Sequence, residues 1–230
     1  MFINRKFQAL IFTTLLISTQ SVVAKTTDME RVNTIAQSLI GTFSGAPNQA
    51  QFIIKMTAAM EDVSESEIQK RFNESDSKPQ SMSESTLEIL KQQYNAQDLK
   101  IMVPAFQKQI AAQGSVYNSC KIDGNPKENT ESFEVPLTCN VPEINFEKIQ
   151  VAKKSTKDSD AQYVAKYINI LVDQISKAPR ALFKTNILIH KQDNQLIPEM
   201  DDPNYFPNTV SNKMTGTTEK ELMQENQKSK

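Results

Sequence analysis

Between Asp28 and Phe43 the apolar residues Met29, Val32, Ile35, Ala36, Leu39, Ile40 and Phe43 recur at steps of three and four. That spacing lines them along one stripe of an α-helix and predicts a buried face. Thr27 and Glu30 stand at its start as T-x-x-E, a pair that can satisfy two backbone N–H groups of the first turn. Ser44-Gly45-Ala46 interrupts the pattern, and Pro47 opens a second helix carrying Phe52, Ile53, Met56, Met60 and Val63. Ser64 and Glu67 cap a short continuation through Ile68 and Phe72. The polar stretch from Asn73 to Ser83, which holds Pro79, reads as a loop. A third helical region runs from about Glu84 to Gln113, with Leu87, Leu90, Tyr94, Leu99, Met102, Val103, Phe106 and Ile110 as its apolar set. Pro104 is expected to bend it and Gly114 to end it.

The period then shortens to two. Phe133, Val135, Leu137, Cys139 and Val141 alternate with polar residues across Glu131 to Val141, which predicts a strand with one wet face. Before it, Val116 to Ile122 reads as a weaker strand placing Val116, Cys120 and Ile122 on one face, with a turn beginning at Gly124-Asn125-Pro126. For Cys120 and Cys139 to meet from these two strands, the hairpin axis must fall near residue 129, so a bulge or long loop is expected. A fourth helix from about Ser159 to Lys177 carries Ala161, Val164, Tyr167, Ile168, Leu171, Val172 and Ile175, and Pro179 stops it. Arg180 to Lys191 follows as a strand with Phe183, Thr185, Ile187 and Ile189 on its drier side. Asp193-Asn194 turns into a last short strand, Gln195 to Pro198.

Composition narrows the chemistry. The 230 residues hold 26 basic and 27 acidic side chains, which excludes a basic nucleic-acid-binding body. One His and two Cys are too few for a multi-histidine metal centre or a cysteine-rich zinc module. Five glycines argue against phosphate-binding glycine loops. Residues 1–24 read as a secretory signal, with Arg5 and Lys6, the apolar run Phe7 to Ile17, and Val22-Val23-Ala24 as the cleavage site. The run is too short and too interrupted for a stable membrane span. The expected location is therefore periplasmic or secreted, with one domain over 25–210, helical over 28–113 and sheet-rich over 115–207. A polar tail at 211–230 is expected to be disordered. Export lets Cys120 and Cys139 form a structural disulfide, worth about 3 kcal/mol for a loop of this length. Neither belongs to a C-x-x-C redox motif.

The order of helices, hairpin, helix and strand is followed by Asn194-Gln195-Leu196-Ile197-Pro198 and then Asn204-Tyr205-Phe206-Pro207-Asn208. Over roughly residues 85 to 208 this order resembles small secreted domains of the ketosteroid-isomerase-like superfamily, which share the nuclear-transport-factor-two-like cone. The resemblance implies an α+β fold, with N-terminal helices packed on a curved antiparallel sheet and one inserted helix. Enzymes of that superfamily place a carboxylate base and acidic hydrogen-bond donors inside the cone. The positions expected to face the interior here are mostly Phe, Val, Leu and Ile, so no catalytic residue carries across. The expected cone lining is Phe133, Val135, Tyr167, Phe183 and Ile187.

Other groups offer less. His190 lies at a strand end beside Lys191 without an evident orienting partner, which favours a scaffold role over general-base catalysis. Glu199, Asp201 and Asp202 lack the spacing of a calcium loop. Lys153, Lys154 and Lys157 make a small basic run, smaller than anionic-lipid binding takes. Met56, Met60 and Met102 fit core filling better than an adaptable pocket. The reading is an exported, non-enzymatic binding module for an apolar small molecule or a peptide, without cofactor, metal or nucleic acid. A protein-interaction role, such as an inhibitor or immunity factor against an exported enzyme of the envelope, is the alternative. A cone enzyme with a buried carboxylate ranks third.

Overall fold

The computed structural model describes residues 27–46, 48–75, 80–145 and 155–216. The signal at 1–24, Pro47, Pro79, Lys153, Lys154 and positions 217–230 of the tail lie outside the described residues. The fold is α+β: seven helices among the described residues and a curled antiparallel sheet.

Helix α1 spans Asp28–Phe43 and starts on the expected capping box. Glu30 N donates to the Thr27 hydroxyl at 3.3 Å, and Thr27 N donates to the Glu30 carboxylate at 2.9 Å. That backbone hydrogen bond is the main reason Glu30 sits below the usual carboxylate range. Helix α2, Gln49–Glu61, ends on Asp62 in the left-handed conformation, and α3, Glu65–Glu74, is capped by Ser64.

The single helix expected over 84–113 is two helices, α4 at Met82–Gln93 and α5 at Ala96–Tyr117. Tyr94 is extended, at φ −125° and ψ 146°, and Asn95 restarts the helix by accepting from the backbone N–H groups of Gln97 and Asp98. The apolar spacing runs through this break and conceals it. Gly114 also departs from expectation, because α5 continues past it. A Cβ there would lie 2.5 Å from the Ser44 carbonyl oxygen, so the glycine serves a close crossing with the end of α1. Val116 and Tyr117 are consequently helical, and the strand expected over 116–122 shrinks to β1, Lys121–Ile122.

The sheet is built on β3, Ser132–Pro142, whose odd-numbered residues from Phe133 to Val141 are buried, as the alternation predicts. On one edge β3 pairs with β1 and with β2, Lys127–Glu128. The residues between these two pieces, Asp123 to Pro126, lie opposite only Val135 and Pro136, which supplies the irregularity the cysteine spacing required. On the other edge β3 pairs along its whole length with β4, Arg180–Gln192, which turns at Asp193-Asn194 into β5, Gln195–Pro198. Cys120 and Cys139 are joined, and the bridge ties the turn after α5 to β3 instead of joining two long strands.

Helix α6, Asp160–Lys177, is the inserted helix between β3 and β4 and begins on a Ser159 and Gln162 capping box. Its buried residues are Ala161, Ala165, Ile168 and Ile175. Tyr167, expected to be inside, is 48% exposed because it projects from the opposite side of that helix. Helix α7, Asn208–Thr215, crosses the proposed boundary at 211 because Val210 and Met214, spaced one turn apart, are fully buried in the main core.

That core lies between α1 and the inner face of the sheet. Val32, Ile35, Ala36 and Leu39 meet Phe133, Val135, Ile187 and Ile189, and Phe43, Tyr117 and Phe206 close one end with ring centroids 5.3 to 6.0 Å apart.

Candidate functional site

The residues expected to line a cone separate into two groups. Phe133, Val135, Phe183 and Ile187 share the inner face of β3 and β4, with Val135 directly opposite Ile187. Phe133, Val135 and Ile187 are at most 1% exposed, and Phe183 packs against the same cluster half-buried. They are part of the packed core. Tyr167 is not with them.

The polar surface is shaped elsewhere, around a residue that the sequence reading passed over. Arg31 sits on α1 between Asp28 and Ile35, and its side chain is only 7% exposed. A buried guanidinium needs acceptors for its N–H groups, and here it makes four such hydrogen bonds. Nε donates to the Ala59 carbonyl at 2.8 Å, and Nη2 donates to the carbonyls of Met60 at 2.9 Å and Asn194 at 3.3 Å. Nη1 donates to Asp28 at 2.9 Å. Ala59 and Met60 lie in the last turn of α2, where carbonyls lack helical partners and the helix dipole is negative. One side chain therefore ties α1, the end of α2 and the β4–β5 turn together.

Hollows open on both sides of this clasp. The larger, about 370 Å³, is lined by Asp28, Glu61, Asp62 and Asp193 together with Lys191 and Gln195. The smaller, about 250 Å³, is bordered by Thr34, Lys55, Val63 and Glu65. Both basic groups of the larger hollow are engaged. Arg31 is bonded as above, and Lys191 donates to Glu128 at 2.6 Å and to the Asn129 carbonyl at 3.1 Å while lying 4.5 Å from the Phe133 ring centroid. Glu61 accepts from Arg71. The lining carries more carboxylates than cations, and it holds neither a Cys nor a His.

The remaining residues singled out in the sequence fall into scaffold positions. His190 Nε2 lies 3.3 Å from Glu199 Oε2 across the β4–β5 ladder. Glu199 Oε1 accepts from the backbone N–H of Asp201 at 2.9 Å and of Asp202 at 3.3 Å. The Asp201 N–H is the largest cause holding this carboxyl below its ordinary range, followed among the lowering contacts by Asp202 and then His190. Asp202 in turn accepts from Asn204 at 2.8 Å, so these acids organise a turn. Among the described residues no group of three His, Cys, Asp or Glu side chains is placed to hold a metal ion. Lys157 is exposed in a turn, and Met102 is fully buried between α5 and α6.

No family model matches the chain, and no curated protein matches it. Among solved structures, it is similar to a candidate lipoprotein from Bacillus subtilis, at 12% identity and a TM-score of 0.40. The match covers 87% of this chain and 57% of the other, so the chain spans little more than half of that protein's length. No helix among the described residues is long and apolar enough to cross a membrane.

Proposed function

We propose that the protein is an exported, non-enzymatic binding module that takes a hydrophilic, positively charged ligand in the hollow beside Arg31. A small amine, or a Lys or Arg side chain of an envelope partner, has the required chemistry. The observation that carries this reading is the contrast between the two candidate places. The inner face of the sheet is filled by its own side chains, whereas the hollow of about 370 Å³ is open and lined by Asp28, Glu61, Asp62 and Asp193. A curled antiparallel sheet with a helix packed on one face supports a resemblance to the ketosteroid-isomerase-like domains, here read as a member that binds without catalysing. The signal at 1–24 supports export.

The test is a thermal-shift titration with spermidine, set against succinate as an anionic contrast. Spermidine is expected to raise the melting temperature by about 2 to 4 °C at saturation, with succinate inert. Asp193→Asn with Asp62→Asn is expected to remove most of that gain. Equal response to both compounds, or none to either, overturns the reading.

A further inference from the structure

The hydrogen-bond pattern of β4 leaves part of this strand open to a partner. In an antiparallel ladder, successive residues direct their N–H and C=O groups to opposite sides. On the outer side of β4, the Leu188 carbonyl accepts from Glu199 N and the Asn186 carbonyl accepts from Phe206 N, both at 2.9 Å or less. Toward β3, Lys191 N donates to the Glu131 carbonyl and Pro179 accepts from Glu143 N. Even-numbered residues of β4 therefore face away from β3. Following that alternation back along the strand, Leu182 and Lys184 also direct their backbone groups outward. Strand β5 pairs only with Ile189 to Gln192, and among the described residues nothing pairs with the outward groups of Leu182 and Lys184.

The side chains along this edge define what fits it. Leu182 is 74% exposed, more than any other large apolar side chain described. It is flanked, two residues away on each side and on the same face, by Arg180 and Lys184. Lys184 is 83% exposed and reaches no closer than 4.0 Å to Asp123. Arg180 donates to the Asn140 carbonyl at 3.3 Å and to the Ser115 hydroxyl at 3.2 Å, and among the described residues no carboxylate forms an ion pair with it. A second copy is a poor occupant, because a twofold axis through Leu182 would set Lys184 of one copy opposite Arg180 of the other.

We propose that the Arg180 to Lys184 edge of β4 is a docking site for an extended, acidic segment of another protein, which adds as an antiparallel strand. The partner segment carries carboxylates two residues to either side of an apolar residue. Its backbone joins the outward groups of Leu182 and Lys184, its apolar side chain covers Leu182, and its carboxylates meet Lys184 and Arg180. This edge is separate from the Arg31 hollow, and neither proposal depends on the other.

Amide hydrogen exchange followed by NMR on the isotope-labelled protein tests the proposal. The probe is the blocked peptide Thr-Glu-Thr-Val-Thr-Glu-Thr, with a second peptide carrying Lys in place of both Glu. In the free protein the Leu182 and Lys184 amides are expected to exchange roughly tenfold or more faster than those of Ala181 and Phe183. The Glu peptide is expected to slow both, with a dissociation constant on the order of a millimolar, and the Lys peptide to bind about tenfold more weakly. Leu182→Pro removes one outward N–H while sparing the ladder to β3, so it is expected to abolish binding in a folded protein. Lys184→Glu leaves Arg180 positive, so in this variant the preference between the peptides is expected to vanish without any change to the backbone. Slow exchange at Leu182 and Lys184 in the free protein overturns the proposal, because another part of the chain or a second copy then covers the edge. Equal affinity for the two peptides also overturns it, as does undiminished binding to the folded Leu182→Pro variant.

Discussion

Beneath the sheet, α1 meets β3 and β4 through Ile35, Leu39, Phe133, Ile187 and Ile189, all at most 1% exposed. Helices α4, α5 and α6 meet instead through Leu90, Met102 and Ile168 together with the alanines Ala105, Ala161 and Ala165. Both regions exclude water, but they do so with different means. Large branched and aromatic side chains make the first one deep, and each removes a large apolar area from solvent. Alanine allows helices to approach closely while burying little area of its own. The helical arm is therefore the shallower of the two and should loosen first.

The sharpest way to break this comparison is to excavate both regions. Phe133→Ala is expected to cost about 3 to 5 kcal/mol, and Met102→Ala about 2 kcal/mol, read from urea unfolding midpoints. Equal costs would mean the arm is as tightly packed as the sheet. Next in size, Cys120→Ala with Cys139→Ala is expected to cost about 3 kcal/mol. Hydrogen exchange should then quicken in β1 and β3 and stay unchanged across α4 to α6.

A third effect comes from Tyr117, whose burial in the main core pushes its phenol up to about 12 from an ordinary value of 10.0. The folded state holds this proton after the unfolded chain has released it. The resulting stabilisation is complete below pH 10.0 and disappears as pH rises toward about 12, and it is worth about 2 to 3 kcal/mol. Ultraviolet titration should show Tyr117 ionising late, with Tyr205 also raised by its partial burial and the nearby Glu134 and Asp202 charges, together with alkaline loosening of the sheet side. The smallest effect is expected at the start of the arm. Ser81 accepts from Glu84 N at 3.2 Å, and Ser81→Ala should cost about 1 kcal/mol, with faster exchange confined to α4.

Local signals in the chain were enough for much of the fold. The strict alternation in β3, the T-x-x-E start of α1 and the Ser159 start of α6 each state their structure within a few residues. Errors arose where one local signal has two physical uses. Gly114 looks like a helix terminator but serves a helix crossing, and the partner it approaches, Ser44, lies far away in sequence. The break at Asn95 was marked by a capping residue that the unbroken apolar spacing outweighed. The candidate sites were the least legible. Nothing near Arg31 announces that Ala59, Met60 and Asn194 will offer it their carbonyls. The open edge of β4 likewise depends on where β5 stops, which is a property of the assembled sheet.

The sulfur bridge has a consequence for how the sheet is assembled. Lys121 stands opposite Thr138, so Cys120 and Cys139 occupy the next rung of the same ladder. Slipping β1 by one residue would turn one thiol toward water while the other stayed inside, and they could not join. Once formed, the bridge therefore holds β1 in this one alignment and excludes the slipped pairing.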